Sequence, residues 1–390
     1  MAPVVPEPPS EPVLEPVLRC GRTSYTVVRA LGPARHGELL LACRRIDERF
    51  GGLAVLKRPV PSGGKEAQRR LRDEARVLAR LRHPNLPCLL QFEGQEDALM
   101  LVSEHVPGLR LERMLEASRQ AHQPLSTACA CYVAAEVADA LHHAHTLTDE
   151  HGRALGIVHR DVTPYNILLG EHGEVKLLDF GAAWSRLSGR VGSEGPALQG
   201  SLAYAAPESV RGASPDGRAD QFSLGLVLLR LLTGRHLFEG AERFDLWQRQ
   251  VPGVKDEPGP LYERELARRI RDYCEDDVLP ALRAVPAELA PLVRRVLAPD
   301  WVERFGSCAA LAHALREHLR AAQPHFGRHE LMAELATLRY VALRVSAGEH
   351  PDEAVRDRLI PGPGTRISRI SYRTISSRLS ARLRRSPRRR

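Results

Sequence analysis

The sequence has 390 residues, of which 43% are hydrophobic and 27% are charged. These fractions exclude a collagen-like or wholly disordered chain and predict enough buried core for two domains or one large bilobal domain. The ten arginines of residues 361–390 account for more than the whole net charge of +8. The rest of the chain is therefore close to neutral, which gives no indication that the folded part binds nucleic acid.

Hydropathy and the cysteine pattern predict a cytoplasmic protein. The longest strongly apolar run, residues 222–232, contains Arg230 and is too short to cross a bilayer. The first residues, MAPVVPEPPSEP, lack the basic start and the apolar stretch of a signal peptide. The seven cysteines are odd in number and lack the paired spacing of a zinc site, which indicates free thiols in a reducing compartment.

The first third of the chain predicts a small antiparallel sheet with one helix. Six prolines in the first 16 residues prevent helix formation and strand pairing, so residues 1–21 are predicted to form a disordered leader. Residues 65–82 place Leu71, Ala75 and Leu78 on one stripe, which predicts an amphipathic helix. Runs of β-prone residues between turns predict strands at residues 25–31, 38–43, 53–57 and 99–104.

The remainder of the chain is predicted to be mainly helical. Apolar periodicity of helix length covers residues 126–147, 220–233 and 285–297. Two apolar runs separated by a short polar turn predict a hairpin over residues 166–180. Together these patterns predict an α+β fold, in which a small sheet lobe precedes a larger, mainly helical lobe.

Three short motifs follow one another in the middle of the chain. They are HRDVTPYN at residues 159–166, DFG at residues 179–181 and APE at residues 206–208. In this order they resemble the catalytic loop, the metal-binding turn and the activation-segment end of the eukaryotic-like, or Hanks-type, bacterial serine/threonine protein kinases. The resemblance covers about residues 22–320. It implies a bilobal protein-kinase-like fold with an N-lobe at residues 22–105 and a C-lobe at residues 106–320.

The resemblance assigns roles to the polar residues of these motifs. Asp161 is expected to orient and deprotonate the substrate hydroxyl, and Asn166 and Asp179 are expected to hold Mg²⁺. Phosphoryl transfer from ATP requires neutralised charge and an acceptor held in line, which metal ligands and a carboxylate base provide. Asn166 precedes one strand of the predicted hairpin and Asp179 follows the other, so the hairpin brings both to one end.

The predicted N-lobe carries the expected nucleotide-binding residues. Lys57, in the segment AVLK, resembles the family's phosphate-binding lysine, and Glu74 stands where the family's helix glutamate holds that lysine. Taken alone on a basic helix, a glutamate such as Glu74 more often forms an i,i+4 pair, here with Arg70, so its assignment depends on spacing from the motifs. The remaining nucleotide-binding positions that the resemblance implies are Gly32 and Gly37 in the glycine-rich loop, and Glu104 and Val106.

Two departures from the family pattern support an alternative function. Ala34 replaces the middle glycine of G-x-G-x-x-G and restricts the approach of the backbone to the phosphates. Thr163 replaces a lysine that neutralises the transferring phosphate, and the loss of that cation weakens transition-state stabilisation unless another group compensates. A nearby arginine is one such group, but the sequence does not locate it. The alternative is a pseudokinase or nucleotide-binding scaffold with little turnover.

Arg160 completes the expected catalytic set of Asp161, Lys57 and Glu74. In the family, an arginine directly before the catalytic aspartate pairs with a phosphate on the activation segment. Residues 182–205 contain candidate phosphate acceptors, which are Ser185, Ser188, Ser193 and Ser201. Phosphorylation there is expected to order the segment through arginine pairing. A flexible polar loop with incidental serines is the alternative interpretation.

Two segments follow the kinase-like region. Residues 321–360 are predicted to form a helical extension that packs on the second lobe, because Leu331, Leu335, Leu338 and Val341 form an apolar stripe. Residues 361–390, which lack lysine and acidic residues, predict an Arg/Ser-rich disordered tail. This tail is a candidate site for a polyanion or an acidic partner. In a third candidate function, binding by the tail is the activity of the protein and the folded part only carries the tail. The other expected partners are ATP and protein substrates, and the expected cofactors are ATP and Mg²⁺.

Overall fold

A computed structural model describes the chain in two lobes that meet at a cleft. The described residues are 17–34, 37–59, 63–94, 99–187, 200–214, 216–238, 240–249 and 260–346. The first lobe contains an antiparallel sheet and one helix, and the second lobe contains the remaining helices and a small second sheet. This architecture confirms the predicted α+β bilobal fold.

The sheet of the first lobe has six strands in the order β1-β2-β3-β4-β6-β5, and each strand is antiparallel to its neighbours. The strands are β1 Leu18–Cys20, β2 Thr23–Ala34, β3 Gly37–Ile46, β4 Arg49–Pro59, β5 Leu89–Glu93 and β6 Met100–Glu104. Tyr25, Leu40, Leu56 and Val102 are buried on one face of this sheet. Strand β1 corrects the leader boundary, because residues 18–20 pair with β2 rather than belonging to a disordered segment.

The helix of the first lobe is α1, Gly64–Leu78. Its predicted stripe, which contains Leu71 and Ala75, is buried. The helix ends four residues earlier than predicted, because Arg80 and Leu81 make tighter i→i−3 hydrogen bonds to Val77 and Leu78. Burial of the stripe fixes the rotation of α1 and turns Glu74, on the same face, toward the sheet.

Ten further helices among the described residues belong to the second lobe. They are α2 Leu111–Gln120, α3 Thr127–Thr146, α4 Pro207–Val210, α5 Gly217–Thr233, α6 Ala241–Gln248, α7 Pro260–Arg271, α8 Leu279–Leu282, α9 Ala290–Val296, α10 Cys308–Ala322 and α11 Arg328–Ser346. Helices α3 and α5 are buried on most sides and form the centre of the lobe. The helix predicted from residue 285 begins only at Ala290, because Pro286 disfavours the helical conformation at Val285.

The second sheet carries the predicted hairpin. Its strands are β7 Gly108–Arg110, β8 Ile167–Gly170 and β9 Val175–Leu177, in the order β7-β8-β9. The amide of Leu178 donates to the carbonyl oxygen of Asn166 at 2.7 Å, so the two ends of the hairpin lie side by side. This contact positions Asn166 next to the segment that contains Asp179.

Helix α11 packs against the second lobe through the predicted apolar stripe. Leu331, Leu335, Leu338 and Val341 are all buried. Glu334 accepts hydrogen bonds from the backbone and side chain of Ser126, the residue that caps α3. Arg339 donates to the carbonyl oxygens of Gly170 and Glu171 in the β8–β9 turn. The helix therefore contacts both the central helix and the hairpin of the site.

Two predictions fall on residues outside the described ranges. Residues 1–16 of the leader and the whole basic tail, residues 361–390, lie there. The seven cysteines lie within the described residues and are all free, as predicted. Of the helices within these ranges, none has the length and hydropathy that crossing a bilayer requires.

Candidate active site

Lys57, Glu74 and Asp179 form an ion triad at the back of the cleft, in which Lys57 and Glu74 are buried and Asp179 is partly buried. Nζ of Lys57, on β4, donates to Oε2 of Glu74 on α1 at 2.7 Å and to Oδ1 of Asp179 at 2.8 Å. Lys57 and Glu74 are only 6% and 5% exposed. Arg70, the alternative partner for Glu74, instead pairs with Glu66 at 2.8 Å. Three elements that are distant in sequence therefore place one cation between two carboxylates.

The triad shifts the pKa values of its three members in different directions. Burial opposes the charge of Lys57, but the attraction of Asp179 and Glu74 outweighs it and raises the Lys57 pKa. Burial also opposes the charge of Asp179, but Lys57 outweighs it and lowers the Asp179 pKa. Burial raises the pKa of Glu74 to about 7, because the attraction of Lys57 does not offset it and Asp179 adds repulsion. Asp179 is thus the carboxylate that stays charged, while Glu74 titrates near neutral pH.

The backbone around Asp179 is fixed by close contacts. Asp179 adopts a left-handed conformation with φ of 63°, which is strained for a residue with a side chain. Its carboxylate accepts a hydrogen bond from the amide of Gly181 at 3.1 Å. A Cβ atom at position 181 would lie 3.0 Å from Oδ1 of Asp179 and 3.2 Å from Oε2 of Glu74. Glycine at this position therefore leaves the space in which the triad assembles.

Asp161 lies at the centre of the catalytic-loop segment and is 3% exposed. Its Oδ1 accepts hydrogen bonds from the amide of Ser201 at 2.8 Å and from Nη2 of Arg249 at 2.9 Å. Its Oδ2 accepts from Nδ2 of Asn166 at 2.9 Å. These donors hold the carboxylate in one orientation.

Asn166 provides an oxygen suited to a metal ion. Its Nδ2 is used by the carbonyl oxygen and the carboxylate of Asp161, at 2.8 and 2.9 Å. Its Oδ1 is buried and has no hydrogen-bond partner among the described residues. An unpartnered buried oxygen is unfavourable unless a cation or donor approaches it. Together with the carboxylate of Asp179, this oxygen fits the preference of Mg²⁺ for oxygen ligands.

Asp220, at the start of α5, holds the backbone of the catalytic loop in place. Its carboxylate accepts hydrogen bonds from the amides of His159 and Arg160, both at 2.8 Å, and pairs with Nε2 of His145 at 2.8 Å. Arg160 has φ of 63°, and these contacts stabilise its strained conformation. These contacts give Asp220 an architectural role.

Glu208 and Arg304 form a second architectural pair. Two parallel hydrogen bonds, at 2.6 and 2.9 Å, join the guanidinium of Arg304 to the carboxylate of Glu208. Both side chains are buried, and Nε of Arg304 also donates to the carbonyl oxygen of Ala298 at 2.9 Å. This pair ties α4, which follows the activation segment, to the end of the lobe.

The side chain of Arg160 contacts the start of the activation segment. Its Nε donates to the carbonyl oxygen of Ala182 at 2.8 Å. Of the predicted phosphate acceptors, Ser185 and Ser201 are buried, at 6% and 3% exposure. The other two, Ser188 and Ser193, lie outside the described residues.

The cleft between the lobes is a cavity of about 710 Å³, a size typical of cofactor sites. The predicted site residues that line it include Gly37, Lys57, Glu104, Val106 and Asp179. Glu104, at the end of β6, accepts a hydrogen bond from Nζ of Lys176 at 2.5 Å. That lysine also donates to the carbonyl oxygen of Leu86 at 3.1 Å, which anchors the segment where the two lobes join.

The glycine-rich segment forms the tip of the β2–β3 hairpin over this cavity. Gly32 has φ of 129°, a conformation that other residues avoid. A Cβ atom at Gly37 would lie 2.5 Å from the carbonyl oxygen of Arg58, so only glycine fits there. Ala34 pairs with Gly37 in the strand register and lines the cavity. Residues 35 and 36 lie outside the described ranges.

Arg249, which follows α6 and contacts the catalytic loop, is not among the residues predicted from the sequence. Nη2 of Arg249 donates to Oδ1 of Asp161 at 2.9 Å and to Oγ1 of Thr163 at 3.1 Å. The only local signal is the i,i+4 spacing of Asp245 and Arg249, which is common on helix surfaces. Tertiary folding, which brings residue 249 to residue 161, is the information that the sequence pattern lacks.

Comparison with known families agrees with this geometry. The profile of the family described as "Protein kinase domain" matches residues 25–315. The chain therefore belongs to the protein kinase domain family. Family members use ATP and Mg²⁺ and phosphorylate proteins, which is the chemistry that the site residues were expected to serve.

Curated relatives match a large part of the chain. Serine/threonine-protein kinase PknJ of Mycobacterium tuberculosis is 33% identical over 294 residues, 74% of this chain and 44% of that protein. Serine/threonine-protein kinase PrkC of Bacillus subtilis is 32% identical over 235 residues, 59% of this chain and 34% of that protein. Tyrosine-protein kinase MasK of Myxococcus xanthus is 30% identical over 269 residues, 68% of this chain and 41% of that protein. The chain spans less than half the length of these relatives.

A solved structure shares the fold. A double mutant of the kinase domain of PknI from Mycobacterium tuberculosis superposes with a TM-score of 0.51 at 27% sequence identity. The match covers 78% of this chain and 99% of that domain. The bilobal protein kinase fold is thus supported by a solved relative as well as by the family profile.

Proposed function

We propose that this protein is an ATP-dependent protein kinase that phosphorylates serine and threonine hydroxyls, on other proteins and on itself. The observation that carries the proposal is a connected set of contacts between the lobes: Lys57 donates to Asp179, and Asn166 donates to Asp161. The carbonyl oxygen of Asn166 accepts from the amide of the residue before Asp179. Such an arrangement provides a phosphate-binding cation, metal ligands and a base. Two relatives, PknJ and PrkC, are serine/threonine-protein kinases, which supports the choice of serine and threonine.

The nucleotide is proposed to occupy the cavity between the lobes. Gly32 and Gly37 allow the β2–β3 tip to cover its phosphates, and Glu104 and Val106 line the opposite end where the lobes join. Lys57 remains charged in the triad and donates to phosphate oxygens when ATP enters. Glu74 holds the ammonium in that orientation.

Asn166 and Asp179 are the residues proposed to hold Mg²⁺. When bound, the ion neutralises charge on the phosphates and orients them for transfer. The lowered pKa of Asp179, which burial opposes and Lys57 produces, keeps its carboxylate charged and ready to bind a cation. The buried Oδ1 of Asn166, which has no hydrogen-bond partner among the described residues, would be a ligand of the ion.

Asp161 is proposed to act as the base. Its carboxylate, held by Asn166 and the amide of Ser201, orients the acceptor hydroxyl and accepts its proton as the new O–P bond forms. The electron pair of the breaking bond remains on the departing ADP oxygen. Asp220 maintains the loop in the required conformation through the two amides that precede Asp161.

The proposal is tested by phosphate transfer from labelled ATP with Mg²⁺ to the protein itself and to a generic protein substrate. We expect Asp161→Asn and Lys57→Ala to abolish the transfer shown by the native chain. The exposed residues Asp276 and Lys65 provide matched controls, and Asp276→Asn and Lys65→Ala are expected to retain transfer. Transfer that survives Asp161→Asn would contradict the assigned base.

Phosphoamino-acid analysis of the product decides which hydroxyl is the acceptor. Phosphoserine or phosphothreonine supports the proposal, and phosphotyrosine alone contradicts it in favour of the activity named for MasK.

A mass-spectrometric map of the same sample also tests the proposed role of Arg160. Phosphate on the segment 182–205 supports pairing with that arginine, and an unmodified segment in active protein removes it.

Ala34 and Thr163 favour a second candidate function, a nucleotide-binding scaffold with little turnover. Calorimetric titration with ATP and Mg²⁺ distinguishes the two candidates. Binding without transfer, under varied metal and after activation-segment phosphorylation, supports the scaffold. Binding with transfer supports the kinase.

The cytoplasmic location stays a prediction that accords with the use of ATP.

The ten arginines of residues 361–390 favour a further binding function for the tail. A segment with this charge and no acidic residue attracts polyanions. Deletion of residues 361–390 is expected to weaken retention on heparin and on vesicles with anionic lipid, while transfer to a generic substrate is retained. Unchanged retention after the deletion would remove the tail as a polyanion site.

A further inference from the structure

We infer that Arg249 supplies the cation that Thr163 does not provide and neutralises charge on the phosphoryl group during transfer. The inference rests on the proposed kinase function and deepens it, because it assigns a residue that no catalytic motif contains. Its basis is the position of the Arg249 guanidinium, which lies on the catalytic loop although it comes from the segment after α6.

The guanidinium of Arg249 contacts three alternate positions of the catalytic loop. Nη2 lies 2.9 Å from Oδ1 of Asp161 and 3.1 Å from Oγ1 of Thr163. The guanidinium carbon lies 5.0 Å from the centre of the Tyr165 ring, within the range of a cation–π contact. A longer side chain at position 163 would enter the space that the guanidinium occupies. Arg249 therefore places positive charge where a lysine at position 163 would extend.

Asp245 holds Arg249 in this orientation. Nε of Arg249 donates to Oδ1 of Asp245 at 2.8 Å, and the two side chains are 9% and 2% exposed. Asp245 lies one turn earlier on α6, and Phe244 beside it is buried. Buried charge pairs of this kind fix geometry, because a guanidinium that left the site would leave a carboxylate unpaired. The cation is therefore preorganised before any substrate binds.

Arg249 also acts on the metal-binding side of the cleft. It lines the same cavity as Lys57 and Asp179. Burial would raise the pKa of Asp179, but Lys57 outweighs that effect and the charge of Arg249 lowers the pKa further. The field of Arg249 thus reaches both Asp161 and Asp179, between which the phosphoryl group must pass.

The contacts favour charge neutralisation over a lock that holds the base inactive. Arg249 contacts Asp161 through Nη2 alone, whereas a tight arginine–carboxylate lock uses two parallel hydrogen bonds. None of the hydrogen bonds that Arg249 makes to the described residues uses Nη1. Both N–H groups of Nη1 can therefore donate to phosphoryl oxygens without loss of the contacts to Asp161 and Asp245.

Four variants test the inference by steady-state kinetics of phosphate transfer. Arg249→Ala is expected to lower kcat by about 100-fold or more, with little change in the KM for ATP, because the interaction is made in the transition state. Arg249→Lys is expected to retain an intermediate rate. Thr163→Lys in the Arg249→Ala background is expected to recover kcat by about tenfold or more. Arg243→Ala, at an exposed arginine of the same helix, is the control and is expected to match the native chain.

A binding measurement separates this inference from the proposed function. ADP, Mg²⁺ and aluminium fluoride together mimic the transferring phosphoryl group, and calorimetry measures their binding without turnover. Arg249→Ala is expected to weaken binding of ADP with aluminium fluoride by about 100-fold, while binding of ADP alone changes little. Unfolding midpoints of all variants are compared to identify a variant that fails to fold.

Several results would overturn the inference. A higher kcat in Arg249→Ala would identify a lock, and an unchanged kcat would show that Arg249 is not used. A loss of kcat that Thr163→Lys does not recover, in folded protein, would show that Arg249 only supports the structure. If the native chain transfers no phosphate, the proposed function fails. In that case the aluminium fluoride measurement still decides whether Arg249 binds the mimic.

Discussion

Nζ of Lys57 lies 2.8 Å from Oδ1 of Asp179, although 122 positions separate the two residues in the sequence. The pair joins β4 of the first lobe to the end of the β8–β9 hairpin in the second. Glu74 contacts the same ammonium, so one buried and one partly buried carboxylate depend on one cation. The relative position of the lobes and the charge state of the site are therefore linked.

Removal of Lys57 is expected to destabilise the fold as well as the activity. Lys57→Met leaves the buried Glu74 and the partly buried Asp179 without their cation. Breaking a fully buried pair reduces the free energy of unfolding by about 3–5 kcal/mol, so we expect a loss of up to that size. Adding Glu74→Gln removes one of those charges and is expected to recover part of the loss. Urea unfolding of the native chain, both single variants and the double variant measures this coupling. If the loss of unfolding free energy in the double variant equals the sum of the losses in the two single variants, the coupling is contradicted.

The activity is expected to rise with pH through about 7. Burial raises the pKa of Glu74 to about 7, although Lys57 opposes the shift. Below that pH, Glu74 is protonated and loses its ion pair with Lys57; above it, the carboxylate forms and holds the ammonium. A profile of kcat/KM for ATP between pH 5.5 and 8.5 is expected to contain this step.

Two glutamine variants isolate the contribution of Glu74 to that profile. In Glu74→Gln, which cannot titrate, kcat/KM is expected to be lower and the step near pH 7 is expected to disappear. Glu66→Gln changes an exposed glutamate on the same helix and is expected to leave the step in place. A step that persists in Glu74→Gln would assign it to another group.

The fold was predictable where periodicity extends over many residues. Strands β2, β3 and β4 and helices α3 and α5 each extend over ten or more residues, and the structure forms them near the predicted boundaries. Strands β1, β5 and β7 have only three to five residues. Segments this short carry too little pattern, and pairing with a neighbouring strand determines their conformation.

The candidate site was predictable where family motifs name its residues. Glu74 required spacing from a motif, since its local pattern alone favours a surface pair with Arg70; the buried contact with Lys57 distinguishes the two. Arg249 had no motif at all. Its role depends on α6 packing beside the catalytic loop, which is a property of tertiary structure.

The stability is expected to fall as pH rises from about 6.5 to about 10 because of His145. Burial alone would lower the pKa of this histidine, but its contacts with Cys308 and Asp220 raise it to about 10. A group whose pKa is raised on folding contributes stability that is fully present below its unfolded pKa, about 6.5, and is lost as pH rises through the folded pKa. Deprotonation of His145 therefore weakens its ion pair with Asp220, the residue that holds the catalytic loop.

His145→Gln tests this effect while it preserves a donor to Asp220. Urea unfolding at pH 6, 8 and 9.5 is expected to give a smaller difference across pH for the variant than for the native chain. His151, on an exposed turn, provides the control, and His151→Gln is expected to behave as the native chain does. Parallel curves for the native chain and His145→Gln would show that His145 is neutral in the fold.

Helix α11 is expected to contribute to the stability of the second lobe and, through the hairpin, to the site. Leu335 is fully buried, so Leu335→Ala is expected to reduce the free energy of unfolding by about 2–5 kcal/mol. Leu343 lies on the same helix with 46% exposure, and Leu343→Ala is expected to change it by less than about 0.5 kcal/mol. Urea unfolding measures both variants.

The connection to the site follows from Arg339, which donates to the carbonyl oxygens of Gly170 and Glu171 in the β8–β9 turn. Arg339→Ala removes those donors from the turn opposite Asn166 and Asp179. We expect a weaker apparent affinity for Mg²⁺, seen as a higher Mg²⁺ concentration at half-maximal rate, because the hairpin positions both metal ligands. Arg344→Ala, one turn further along α11, is the control. An unchanged Mg²⁺ requirement in Arg339→Ala would limit α11 to a stabilising role.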